Sequence, residues 1–246
     1  TGNRYMRLKA EPGRLRLRYS ATVELMHYIG APAFIPEVPV ARLPADVLTY
    51  LYPSRYCQSD RLYDVANKEF GHLPHGYGRV LAVCDWVANH VQFKSATTNA
   101  STSALDTLTE RVGVCRDFAH LMIALCRALN IPARFVTGID YGADPALGPS
   151  DFHAYVEAFL GDRWYLFDPS ATAIPMGLMR FGVGRDAADV SFATIFGSVR
   201  AEPPKIVIEA AADAFSGAEL PRRRPDALST DDGSAVLIGA RLAPLA

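Results

Sequence analysis

The chain has 246 residues, 50% of them hydrophobic, with 25 Lys and Arg against 26 Asp and Glu and a net charge of −1. That length and composition can bury a full core as one large domain or two small ones. A charge this close to zero supplies no global field toward nucleic acid or an anionic bilayer, and no apolar run reaches the roughly 18–20 residues that span one, so neither a nucleic-acid nor a membrane partner is expected.

From Leu15 to Leu25 apolar and polar residues alternate strictly, which predicts a half-buried strand, or two in sequence, with one face wet. Pro32, Pro36, Pro39 and Pro44 then break any regular element, so residues 31–44 read as an irregular connection closing an N-terminal β-rich segment over 1–44. Asp46 to Leu51 predicts a short turn. Ser59 or Asp60 is expected to cap a helix running to Glu69–Gly71, with Leu62, Val65, Ala66 and Phe70 on one side. Arg79 to Val91 is a second amphipathic helix, residues 94–102 are a polar loop, and Ser103 caps a short helix over Ala104–Arg111.

The stretch Gly113 to Leu129 places a cysteine at the mouth of a helix. Counting from Cys115, apolar residues recur at Phe118, Ala119, Met122, Leu125, Cys126 and Leu129, the spacing of one helical face. A thiol in a first helical turn meets unpaired N–H groups and the positive end of the helix dipole, which favour thiolate over thiol. After Ile131-Pro132 come a short β run over Arg134–Ile139 and a Gly/Pro-rich loop over Gly142–Ser150. Two strands follow, Phe152–Leu160 and Arg163–Phe167, joined by the hairpin pair Gly161-Asp162. Beyond Arg200 only Ile206–Ile208 and Ala235–Ile238 read as strands, and residues 216–233 are expected to be mobile. Helices followed by a mostly antiparallel sheet give the class α+β.

The hairpin fixes a register. With Leu160 opposite Arg163, Asp168 faces Tyr155, which is two residues from His153 on the same strand. His153 and Asp168 then share one face as diagonal neighbours, roughly 7–8 Å apart at Cα and within reach of a hydrogen bond. Trp164, Leu166, Tyr155 and Phe159 fall on that same face, which implies a largely apolar wall around the pair and makes docking of the hairpin against the start of the cysteine helix economical. A nucleophilic thiol needs an imidazole to exchange its proton and a third group to orient the ring, so Cys115, His153 and Asp168 are the candidate catalytic set, with the Cys115 N–H as an oxyanion donor.

Other residues have plainer readings. Cys126 lies on the same stripe as Cys115 and reads as core, as do Cys57 and Cys84. The four cysteines form no Cys-x-x-Cys pair, and no signal peptide is evident from Thr1 onward. Reduced thiols in the cytoplasm are therefore expected, unless a leader precedes Thr1. His120 is rotated about 140° from Cys115 around the helix and reads as a surface or second-layer residue. Asp117 suits a helix N-terminus. His72 and His75 have no accompanying ligand cluster, so no metal is expected. Arg222 to Arg224 read as a solvated charge run.

Gly113-Val114-Cys115, His153-Ala154-Tyr155-Val156-Glu157 and Asp168-Pro169-Ser170 resemble the three motifs of the transglutaminase-like superfamily of papain-type thiol enzymes, in order and in spacing. Ile131-Pro132-Ala133-Arg134 is similar to the family's usual continuation. Tyr50 to Cys57 and Gly184 to Val190 resemble signatures of a bacterial transglutaminase-like cysteine protease subgroup. Tyr155 stands where tryptophan is common and Ser170 where threonine is.

The resemblance spans about residues 45–200, leaving a C-terminal extension over 201–246 and, before the core, a shortened form of the family's β-rich domain. It implies a papain-like core with a cysteine-bearing helix on an antiparallel sheet. It makes Cys115 the nucleophile, His153 the base and Asp168 the orienting acid. No chemical role is assigned to Asp186 or Asp189. The implied reaction is acyl transfer on a peptide or protein amide, with hydrolysis ahead of cross-linking, and no cofactor. A catalytically silent peptide-binding module and a redox-sensing thiol are the rivals. Nothing in the sequence reads as a calcium loop, so calcium activation is not expected to carry over.

Overall fold

The computed structural model describes residues 2–142, 151–210, 220–230 and 237–238. Before the helical region lie two short strands, β1 (Thr22–Val23) and β2 (Tyr28–Gly30). Four helices follow, α1 (Tyr63–Phe70), α2 (Tyr77–His90), α3 (Ala104–Glu110) and α4 (Cys115–Ala128), with the two-residue strands β3 (Gln92–Phe93) and β4 (Val112–Gly113) paired in parallel just before α4.

The apolar stripes face inward: Leu62, Ala66 and Phe70 are buried, as are Val80, Val83 and Val87. In α4 every residue from Asp117 to Ala128 is buried, because α1, α2 and α3 pack on one side and the sheet on the other. The cap of α3 forms as expected, with Asp106 Oδ2 accepting from Ser103 N at 2.9 Å and from Ser103 Oγ at 2.7 Å. The cap of α1 does not. Ser59 and Asp60 lie in a separate 3₁₀ turn (Ser59–Arg61), and α1 starts after Leu62, which enters the core before the helix begins.

The sheet contains β5 (Ala133–Asp140), β6 (His153–Leu160), β7 (Arg163–Phe167) and β8 (Leu178–Gly184), all antiparallel, in the order β7-β6-β5-β8. The hairpin register is the expected one, from Leu160 opposite Arg163 to Val156 opposite Phe167, with Gly161 at φ +60 in the turn. The face that carries His153 and Asp168 is not the one that packs along α4. Helix α4 covers Ala154, Val156, Ala158 and Leu160 with Tyr165 and Phe167. The Tyr155 and Leu166 side packs on Val136, Ala173, Met176, Leu178 and Val183, and Phe159 and Trp164 pack on Leu43, Val47 and Tyr50. Size explains the choice: alanines at 154 and 158 admit a helix backbone closely, whereas the large aromatic side chains fill the wider space under irregular chain.

The N-terminal alternation makes less strand than expected. Leu15, Leu17 and Tyr19 are 58%, 61% and 59% exposed, and only β1 and β2 are regular. A strand draws its stability from cross-strand partners and a covered face. Here the partners come from the C-terminal segment: β9 (Ala227–Ser229) pairs with β2, and β10 (Leu237–Ile238) with β1. Ile206–Ile208 is not a strand, since among the described residues it has no ladder partner. Within the stretch expected to be mobile, Ala227–Ser229 is a buried strand, while residues 216–219 and 231–233 lie outside the described residues, as do residues 143–150 of the expected loop.

Across the middle of the sheet the β5–β8 ladder shifts register between Thr137 and Gly138. A Cβ at Gly138 would stand 2.1 Å from the Met179 carbonyl oxygen, which is backbone and cannot turn away. Gly138→Ala is expected to lower unfolding free energy by ~2 kcal/mol or more, read as a reduced urea midpoint with an unchanged slope.

Candidate functional site

The cysteine helix begins where a set of short contacts allows it to. Val114 is extended at φ −111, ψ 175, and Asp117 in the first turn reaches back so that its Oδ2 accepts from Val114 N at 2.9 Å. Its other oxygen accepts from Thr98 Oγ1 at 3.0 Å, and the carboxylate is fully buried. A Cβ at Gly113 would meet the Asp117 Cβ at 2.7 Å, so only glycine lets this carboxylate close over the helix start. Asp117 thus does more than balance a dipole: it sets where α4 begins and so where Cys115, its first residue, stands. Arg116 donates to Thr98 Oγ1 and Asn99 O, joining the 94–102 loop to the same place.

Cys115 is half-buried and the other three cysteines are buried. Burial pushes the Cys57 and Cys126 thiols up to about 12 and the Cys84 thiol well above its ordinary value. Those three are held as thiols in the core.

His153 opens β6 and Asp168 follows directly on β7, so both stand at one end of the hairpin. His153 Nε2 lies 3.2 Å from Asp168 Oδ1, and both side chains are buried. With Nε2 so engaged, Nδ1 is the nitrogen left to face Cys115, which is near enough to help hold a proton on the ring. By alternation His153 belongs with Tyr155, on the face away from α4. As the first residue of its strand it stands at the sheet's end, where the head of α4 arrives. The fold thus brings the three residues together, His153 hydrogen-bonded to Asp168 and electrostatically linked to Cys115.

Two opposing effects decide the charges along it. Burial by itself would strip the proton from His153. Its hydrogen bond to Asp168 and the proximity of Cys115, with the negative charge of both, outweigh burial and push it up to about 10. Burial would likewise raise Asp168. Hydrogen bonds from His153, Ser170 and the Ala173 N–H, with the histidine's charge, hold it below its usual range instead. Ser170 donates to Asp168 Oδ1 from both N (3.1 Å) and Oγ (2.6 Å), and Ala173 N donates to Oδ2 at 2.8 Å. The sequence reading treated Ser170 only as a departure from threonine. The readable signal was Asp-Pro-Ser, in which an aspartate accepts from the N–H two residues on, an Asx turn.

His120 is not a surface residue. It is fully buried, stacked on Tyr56 at 5.0 Å and 11°, and its Nε2 accepts from Ala187 N at 3.2 Å. Burial pulls it down to about 3, so it is neutral. Asp186 accepts from Tyr56 N and Ala188 N, each at 2.9 Å. Arg127, also buried, donates to Tyr52 O and Ser54 Oγ at 3.1 Å, to Ala133 O at 2.8 Å and to Arg185 O at 2.6 Å. Asp189 pairs with Arg185 at 2.9 Å. The two outlying signatures, Tyr50 to Cys57 and Gly184 to Val190, are therefore strapped to α4 and to each other. The Arg222–Arg224 run is more than solvated charge: Arg223 donates to Ala171 O at 2.9 Å, Arg224 pairs with Asp226 at 2.9 Å, and all three border a cavity of about 200 Å³ whose wall includes Asp168.

The family model of the transglutaminase-like superfamily matches residues 64–169. A crystal structure of a candidate cysteine protease from Cytophaga hutchinsonii is 43% identical and superposes with a TM-score of 0.73, covering 82% of this chain and 69% of that one. An uncharacterized protein of Mycobacterium leprae is 34% identical over 117 residues, 46% of this chain and 42% of that protein. One from Mycobacterium bovis is 32% identical over 109 residues, 40% of this chain and 35% of that protein. The chain spans less than half the length of the curated relatives it matches. Among the described residues no helix is long and apolar enough to cross a membrane.

His120 gives a pH dependence with a definite sign. Its value falls from 6.5 to about 3 on folding, so protons bind the unfolded chain preferentially between those limits. Its contribution is complete above pH 6.5 and lost as pH falls toward 3, at up to ~1.4 kcal/mol per pH unit. Urea unfolding of the wild type should show that slope, and His120→Phe should flatten it.

Proposed function

We propose that this chain, which belongs to the transglutaminase-like superfamily, breaks amide bonds in peptides or proteins by acyl transfer through Cys115, with water as the acceptor. The observation that carries the reading is the buried His153–Asp168 hydrogen bond standing beside the half-buried Cys115, an arrangement that pushes the imidazole up to about 10. An imidazole so placed takes the thiol proton in exchange for a stable ion pair with the thiolate.

The thiolate then attacks the amide carbonyl carbon. Negative charge developing on the oxygen is met by the Cys115 N–H, which as a first-turn donor has no partner within its own helix. His153 delivers its proton to the departing amine as the C–N bond breaks, leaving a thioester on Cys115. Water attacks the thioester, giving its proton back to His153, and the thiolate is released. Asp168, pinned by Ser170 and Ala173, keeps the ring in one orientation through both halves.

A primary amine entering in place of water would give cross-linking through the same residues. Hydrolysis is favoured because the 43% identical relative is described as a candidate cysteine protease. A silent binding module has no use for a half-exposed thiol held against a charged imidazole. The four free cysteines fit a reducing compartment, and we read the chain as cytoplasmic on that ground.

Iodoacetamide labelling across pH with mass mapping tests the nucleophile. Cys115 should be alkylated ahead of Cys57, Cys84 and Cys126 below pH 7, and His153→Ala should remove the preference; equal reactivity of all four would refute the reading. The pH profile of amide turnover tests the pair. Activity should fall as pH rises through about 10, where His153 loses the proton that the leaving amine needs. Asp168→Asn should move that limb to lower pH, since it removes the charge and weakens the hydrogen bond that hold the proton on. Turnover with and without an added primary amine separates hydrolysis from transfer.

A further inference from the structure

The end of the sheet that carries His153 also carries a patch of aromatic rings that the core does not use. Phe152 immediately precedes His153 and is half-buried. Its ring lies 6.3 Å from Phe181 at 71°, edge to face, and 4.3 Å from Phe192. Phe181 is 46% exposed and Phe192 73% exposed. Apolar side chains scattered singly over a surface need no explanation, but Phe152 touches both of the exposed rings, so the three make one continuous patch.

The backbone aims this patch. Gly138 is the strand partner of both His153 and Arg180, so Arg180 lies two strands across the sheet from the imidazole. The register shift at Gly138 leaves Phe181 as the extra residue of a bulge between Arg180 and Gly182. Bulges re-aim side chains, and they gather beside active sites. Arg180 reaches Glu157 at 3.1 Å, on the face away from α4, because the neighbours of Glu157 in β6, Val156 and Ala158, are the ones packed under the helix. Alternation turns Phe181 to the α4 side, the side that Ala154 shares and to which Phe152 belongs. Cys115 heads α4 and meets His153 at this same end. The rings therefore lie at the sheet end that carries His153, toward β8 and on the side from which Cys115 approaches.

We infer that Phe152, Phe181 and Phe192 form a specificity subsite that takes a large apolar side chain, an aromatic one best, of a peptide substrate beside its scissile amide. The inference rests on the acyl-transfer reading for its use, though the subsite can be tested without it. Rings in edge-to-face and tilted contact leave further edges and faces for one more ring, and a phenyl group docked there gains aromatic contact as well as burial. A methyl side chain gains little.

Two measurements test this on the full chain. In Cys115→Ala, saturation-transfer NMR should detect N-acetyl-phenylalaninamide in preference to N-acetyl-alaninamide, and the double variant Phe181→Ala/Phe192→Ala in that background should lose the preference. In the wild type, the chloromethyl ketone of benzyloxycarbonyl-phenylalanine should alkylate Cys115 at least about fivefold faster than that of benzyloxycarbonyl-alanine. The double variant should bring the two rates together while leaving the chloroacetamide rate unchanged. Equal binding of the two amides, or a preference that survives the double variant, overturns the subsite. So does an oligomer that the double variant dissociates, since the patch would then join two copies. If no reagent labels Cys115 but the amide preference persists and is lost in the double variant, the subsite stands and the thiol chemistry falls.

Discussion

A helix enclosed on every side cannot leave a polar group to water, and α4 is enclosed from Asp117 to Ala128. A buried donor or acceptor without a partner costs roughly 1–3 kcal/mol. Each polar side chain on α4 therefore has to draw other parts of the chain to it. Asp117 gathers Val114 and the Thr98 loop, His120 takes the Ala187 N–H under the ring of Tyr56, and Arg127 collects carbonyls from Tyr52, Ala133 and Arg185. Segments distant in sequence converge on the helix because of three side chains. The arrangement holds both ends of α4 in place, and one of those ends presents Cys115.

The chain from Cys115 to Asp168 is governed by a contest between burial and charge. Burial of His153 or Asp168 in isolation would neutralise either one. Together each stabilises the other's charge, and Ser170 and Ala173 supply the donors that let the carboxylate stay ionised inside the protein. His120 shows the same physics without a compensating partner at its second nitrogen, and there burial wins. Two histidines in one core are thus set to opposite protonation states by what their nitrogens touch.

Position on the sheet matters as much as charge. The small residues of β6 receive the helix, the large ones are covered by irregular chain, and His153 with Asp168 stands at the strand end, where the two faces meet. The bulge at Gly138 turns Phe181 toward that end. The candidate site and the open aromatic patch therefore arise from one local feature of the sheet, its end, rather than from either face.

Local pattern was legible wherever a short stretch carries its own constraint. The cysteine helix, the Ser103 cap and the Gly161-Asp162 turn with its register all rest on contacts within about four residues or across one hairpin, and the His153–Asp168 contact follows from that register. Periodicity could not say which face of β6 would meet α4, because both faces are apolar and only packing volume chooses between them. It could not place His120, whose burial depends on a loop 67 residues away. The alternation in residues 15–25 was a real pattern without a partner, and a strand is a property of pairs. The sequence by itself determined which three residues are the candidates for the chemistry and which two of them meet. The tertiary structure alone decided that the thiol joins them, and what surrounds all three, because those contacts are made between elements whose approach no local spacing encodes.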